Sequence, residues 1–216
     1  FPILKNILHH ITGKDIYFSP TDMGVNMVGY CIKNNDIVEN AAKKEVVRRY
    51  FNELCNYKQG ISDFDTVQKI KLLMNELNID ENFLKVVEVS KKASEKKKTN
   101  VIALELPKGK IITGKQTDLL SPASSVIINA IKELSKIPDE INLLSPTILE
   151  PILKLRKNNN TLSLQEVLIA LAVCSVTNPS IASALEKLEV LKDCEAHATY
   201  IVTNGDLKAL KSLKIN

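Results

Sequence analysis

The apolar pattern of this chain changes period near residue 100, and that change sets what each part can fold into. Before it, Ile3, Leu4, Ile7, Leu8 and Ile11 recur at helical spacing, and Gly13 follows as a stop. Asp36 and Glu39 carry a capping-box signature. The helix they start bears Val38, Ala41, Ala42, Val46, Tyr50, Leu54 and Cys55 and ends before Gly60. Val67, Ile70, Leu73, Met74 and Leu77 predict a third helix over 64–77, and a fourth runs from Glu81 into the lysines at 91–98. The first 99 residues therefore read as an interaction-type helical bundle. Beyond them VIALEL, at 101–106, is rich in β-formers and partly alternates. PKGK is a hairpin turn, and 111–113 returns as a second strand.

Helices and strands then alternate. Pro122 opens a helix bearing Val126, Ile127, Ala130, Ile131 and Leu134. EINLL, at 140–144, is expected as a strand, and Ser145 with Pro146 starts the next helix. The polar KNNNT run is a loop. Ser163 and Glu166 form a capping box for an apolar helix through Cys174, and Asn178 with Pro179 starts another. A strand over 195–202 and a short helix over 206–213 close the chain. This order predicts an α/β fold: a mainly helical subdomain at 1–99, then a layered α/β subdomain at 100–216 with both sheet faces covered.

Size and composition narrow the function classes. The 216 residues are 44% hydrophobic and 25% charged, which fits a globular protein. Aromatics are 5% and Trp is absent, so the core must be Leu, Ile, Val and Ala. No apolar run is long enough to cross a bilayer, so no membrane partner is expected. FPILKNILHH lacks the basic start and cleavage site of a signal peptide, and a chain opening on Phe1 reads as a fragment. Net charge is +4, with its densest basic patch at KKASEKKK, 91–98. No aromatic interleaves those lysines, so a solvated helix end is expected there and no nucleic-acid partner. Cys31, Cys55, Cys174 and Cys194 form no close pair. A reducing, cytoplasmic setting follows, without a zinc motif.

Several residues are candidates for a ligand site. Ser19, Thr21, Asp22, Gly24 and Asn26 lie in SPTDMGVNMVGYCI, where short polar residues surround a glycine. The same residues suit a plain turn whose side chains bond their own backbone. Arg48 and Arg49 suit either an anion or a salt-bridged surface. Ser121 and Ser145 precede helix starts, whose unpaired N–H groups attract anions, and Lys115 is near in sequence. Ordinary capping is the alternative. His9 and His10 are adjacent and lack the i, i+4 spacing that grips a metal; His197 reads as a structural strand histidine. Gly109 and Gly114 read as hairpin and loop glycines.

The runs SPTDMGVNMVGYCI, AAKKEVVRRYFNELC, LELPKGKIITGK, LLSP and LQEVLIALAVCSVTNP occur in that order. They resemble the C-terminal part of the bacterial domain-of-unknown-function family eighteen forty-six, some of whose members are labelled ATP-dependent zinc proteases. The resemblance implies an upstream α/β region with a phosphate-loop-like Gly-Ser-Gly-Lys run, which these residues do not contain. Any ATP or other nucleotide would therefore be held upstream of Phe1, with no cofactor in this chain. It also implies that residues are missing just before Val101. The protease label gains nothing here, because no H-E-x-x-H helix is present.

The order hairpin, helix, strand, helix from 101 to 157 is also similar to the cytidine deaminase fold, which would make 100–216 a three-layer α/β/α subdomain. Deaminases need a His or Cys and a Glu on the first helix, then P-C-x-x-C on the second. Ser125 and Ile127 stand at the first pair of positions, and Thr147 and Glu150 replace the cysteines. Such a frame would hold no metal. Two roles follow as expectations. One is half of an enzyme binding a small anionic or phosphorylated ligand beside a nucleotide region. The other is a non-catalytic assembly module, a homo-oligomer built through the helices of 36–98.

Overall fold

A computed structural model describes residues 2–14, 35–155 and 161–216. They fall into two compact units, Phe1–Leu84 and Lys85–Asn216. The division precedes the expected boundary at 99/100, because the last helix before the hairpin packs against the sheet.

The first unit is helical where described. It comprises α1 (Pro2–Thr12), α2 (Asn35–Lys58) and α3 (Phe64–Glu76), with a short 3-10 turn at Glu81–Phe83. Asp63 caps α3, its carboxylate accepting the Thr66 N–H at 2.8 Å. Helices α2 and α3 pack together around Val46, Val47, Tyr50, Val67 and Met74, all buried. The expected α2 stripe is buried at Val38, Val46 and Tyr50. Val47 is fully buried while Ala41 is exposed. The helix expected from Glu81 is broken at Leu84, whose backbone is extended (ψ 107°).

The second unit is built around one strand. Helix α4 (Lys85–Lys97) leads into β1 (Val101–Glu105), and a hairpin returns as β2 (Ile111–Lys115). Then come α5 (Pro122–Leu134), α6 (Pro146–Lys154), α7 (Leu164–Ser175) and α8 (Pro179–Glu186). After a 3-10 turn at Lys187–Leu191 follow β3 (Glu195–Ala198) and α9 (Asn204–Ser212). The sheet order is β2-β1-β3, both pairs antiparallel, with Ala103 opposite Thr113 on one side and His197 on the other. His197 is thus the strand histidine expected.

Both faces of the sheet are covered, which is why Val101, Ile102, Ala103 and Leu104 are all at most 1% exposed. Ile102 and Leu104 join Ala123, Val126, Ile127 and Ala130 of α5 in one core. Val101 and Ala103 face the other way, toward α4 with its buried Val86 and Val87. Helices α7, α8 and α9 then wrap the far side of α5. Gly114 decides how close α5 can lie. A Cβ there would stand 2.1 Å from the Val126 nitrogen, so the position admits no side chain. Gly114 is therefore a strand residue under a helix, not the loop glycine expected.

The layering departs from the deaminase-like expectation. The segment 140–144 is a turn and not a strand, and the third strand comes instead from Glu195–Ala198, antiparallel. Leu143 and Leu144 are buried in the core, so EINLL was apolar for packing, not for pairing. The strand expected over 195–202 stops at Ala198, where Thr199 bonds back to Val101 (N–H to carbonyl, 3.0 Å). A mixed helical unit with a small antiparallel sheet is what remains of the α/β expectation.

Candidate functional site

Two helix starts are brought side by side in the second unit. Leu120 and Leu162 form a parallel bridge, with the Leu162 N–H on the Leu119 carbonyl at 2.8 Å and the Ser121 N–H on the Leu162 carbonyl at 3.0 Å. Each segment runs straight into a helix, α5 and α7. Ser121 caps α5: its hydroxyl accepts the Ser124 N–H at 3.2 Å, and Ser124 Oγ donates to the Leu162 carbonyl at 3.0 Å. The Ser125 hydroxyl is buried without a hydrogen-bond partner among the described residues.

The start of α7 is occupied by carboxylates. Glu166 accepts from the Ser163 N–H at 2.8 Å and the Ser163 hydroxyl at 2.7 Å, the capping box expected from sequence. Asp206, 1% exposed in the first turn of α9, accepts the Leu164 N–H at 2.7 Å. Two negative groups thus already meet the positive end of this helix. Tyr200 is close by. Burial, then the charge of Asp206, pushes its phenol well above the ordinary tyrosine value. Its hydroxyl has no partner among the described residues. This arrangement is suited to locking two helices and a bridge together, and a phosphate there would meet Glu166 and Asp206 first.

The other expected site residues are scattered. Ser145 heads α6, but its hydroxyl pairs with Thr147 and makes no cap bond. Lys115 is exposed at the end of β2, and no hydrogen bond among the described residues ties it to Ser121 or Ser145. In the first unit, Arg48 Nη1 and Arg49 Nε hold the two oxygens of Glu45 at 3.2 and 3.1 Å, a salt-bridged helix surface. Ser19, Thr21, Asp22, Gly24 and Asn26 lie outside the described residues. A pocket of about 260 Å³ beside Tyr50 and Glu81 adds little. Tyr50 has its phenol raised by burial and by the hydrogen-bonded Glu81, so its polar group is already engaged.

The larger concavity is one that sequence reasoning missed. A groove of about 300 Å³ lies between α6 and α7, lined by Ile148, Ile152, Ile169, Ala170, Val173 and Cys174, with Glu166 at its edge. Several aliphatic side chains on these helices and at their ends are exposed: Ile169 is 65% exposed, Val173 67%, Val176 85% and Leu155 86%. The signal was present in LQEVLIALAVCS, which is apolar on every side. A helix of that kind needs cover all round, and α7 has cover on only one side, through Leu164, Val167, Ala170 and Leu171.

The N-terminal part of the domain of unknown function DUF1846 matches residues 1–78, and its C-terminal part matches residues 82–216. The chain belongs to the DUF1846 family. The gap between the matches, 79–81, lies a few residues before the division of the units at 84/85. Because residues 1–78 match the N-terminal domain, the expected placement of the whole chain in the family's C-terminal part is not borne out. A UPF0371 protein of Clostridium tetani is 43% identical over 230 residues, covering 100% of this chain and 46% of that protein. UPF0371 proteins of Clostridium botulinum and Clostridioides difficile are similar at 46% and 43% identity over the same length. The chain therefore spans about half the length of these relatives. Nothing in this family match names a reaction or a substrate. Among the described residues no helix is long and apolar enough to cross a membrane.

Proposed function

We propose that this chain is a non-catalytic assembly module of the DUF1846 family, with the α6–α7 groove as its working surface. One observation carries the reading: the outward side of α7 is a continuous aliphatic stripe, Ile169, Val173 and Val176, each at least 65% exposed. Burying one such side chain fully is worth about 1.5–3 kcal/mol. A contiguous apolar patch of this kind is the usual mark of a protein interaction site. The assembly surface thus moves from the helices of 36–98, where the sequence suggested it, to α6 and α7.

The anionic-ligand role has less behind it. Its arginines are engaged with Glu45, and the α7 helix start carries its own carboxylates. A nucleotide-linked activity remains a proposal for the longer family members as wholes.

Nile red binding and thermal melting test the reading together. Wild type binds the dye, and Ile169→Lys weakens that binding several-fold without moving the melting temperature. Nucleotides and phosphorylated metabolites leave the melting curve in place. A ligand-induced rise that disappears in Lys115→Ala or Arg48→Ala would replace this reading with the anion-binding one.

A further inference from the structure

We draw no further inference here: the strongest candidate, the exposed aliphatic groove between α6 and α7 around Ile148, Ile152, Ile169 and Val173, carries nothing beyond the assembly reading, because nothing in the structure shows what covers it.

Discussion

Gly114 and Tyr200 show how much single atoms decide in the second unit. At Gly114 the backbone of α5 fills the space a Cβ would need, with Val126 nitrogen and Cα at 2.1 and 2.6 Å. Both obstacles are main chain and cannot rotate away. Gly114→Ala is expected to cost about 3 kcal/mol or more, read as a lower urea midpoint with unchanged slope. Tyr200 is the opposite case, a buried hydroxyl with nothing described to bond. Tyr200→Phe should leave stability at neutral pH unchanged or higher by up to about 1 kcal/mol. Its pH dependence has a definite sign. The folded state holds the phenol proton more tightly than the unfolded chain, where the value is near 10.0. That contribution is complete below pH 10 and is lost as pH rises from there through the folded value. The phenylalanine variant should therefore withstand alkaline pH better, seen as a higher unfolding pH by circular dichroism. Neither role was legible in sequence. Gly114 sits beside a hairpin and looks like a loop residue, and nothing local marks Tyr200 as neighbour to Asp206.

At the scale of elements, α7 is specified from both near and far. Ser163 and Glu166 set its start from three residues apart, and the sequence shows that box plainly. Asp206 adds a second lock from another helix, accepting the Leu164 N–H across 42 residues of chain. Local periodicity cannot reveal a cap of that range. Asp206→Ala should cost about 2–3 kcal/mol, since it strands a buried donor and removes a charged acceptor. Glu166→Ala, which loses the local box, should cost about 1 kcal/mol. Chemical denaturation of the two variants separates them. The segment 140–144 illustrates the reverse error. EINLL has strand-like composition, but both edges of β1 are taken by β2 and β3, and the turn only delivers Leu143 and Leu144 to the core. On the outer side of β3, the Ala196 N–H bonds to the Asn216 carbonyl and the Asn216 N–H to the Cys194 carbonyl, so the chain end covers part of that edge.

For the whole molecule, the second unit has a continuous aliphatic core and the first a smaller helical one, each described by itself. The sequence alone determined the helices and the hairpin, because a helix or a tight turn is written in neighbours three or four residues apart. Period, capping residues and proline placement were enough for α3, α5, α7, α8 and the β1–β2 turn, and period alone for α2, which starts at Asn35 with Asp36 already inside it. It also made α7 apolar all round. Only the tertiary structure decided which side of α7 the core covers and which side it leaves exposed. That choice depends on how α5, α8 and α9 pack around it, a matter of volume and contact between distant residues. The same reason governs the third strand. Pairing β3 with β1 brings together residues almost a hundred positions apart, and no local pattern records which apolar run, 140–144 or 195–198, finds the free edge first.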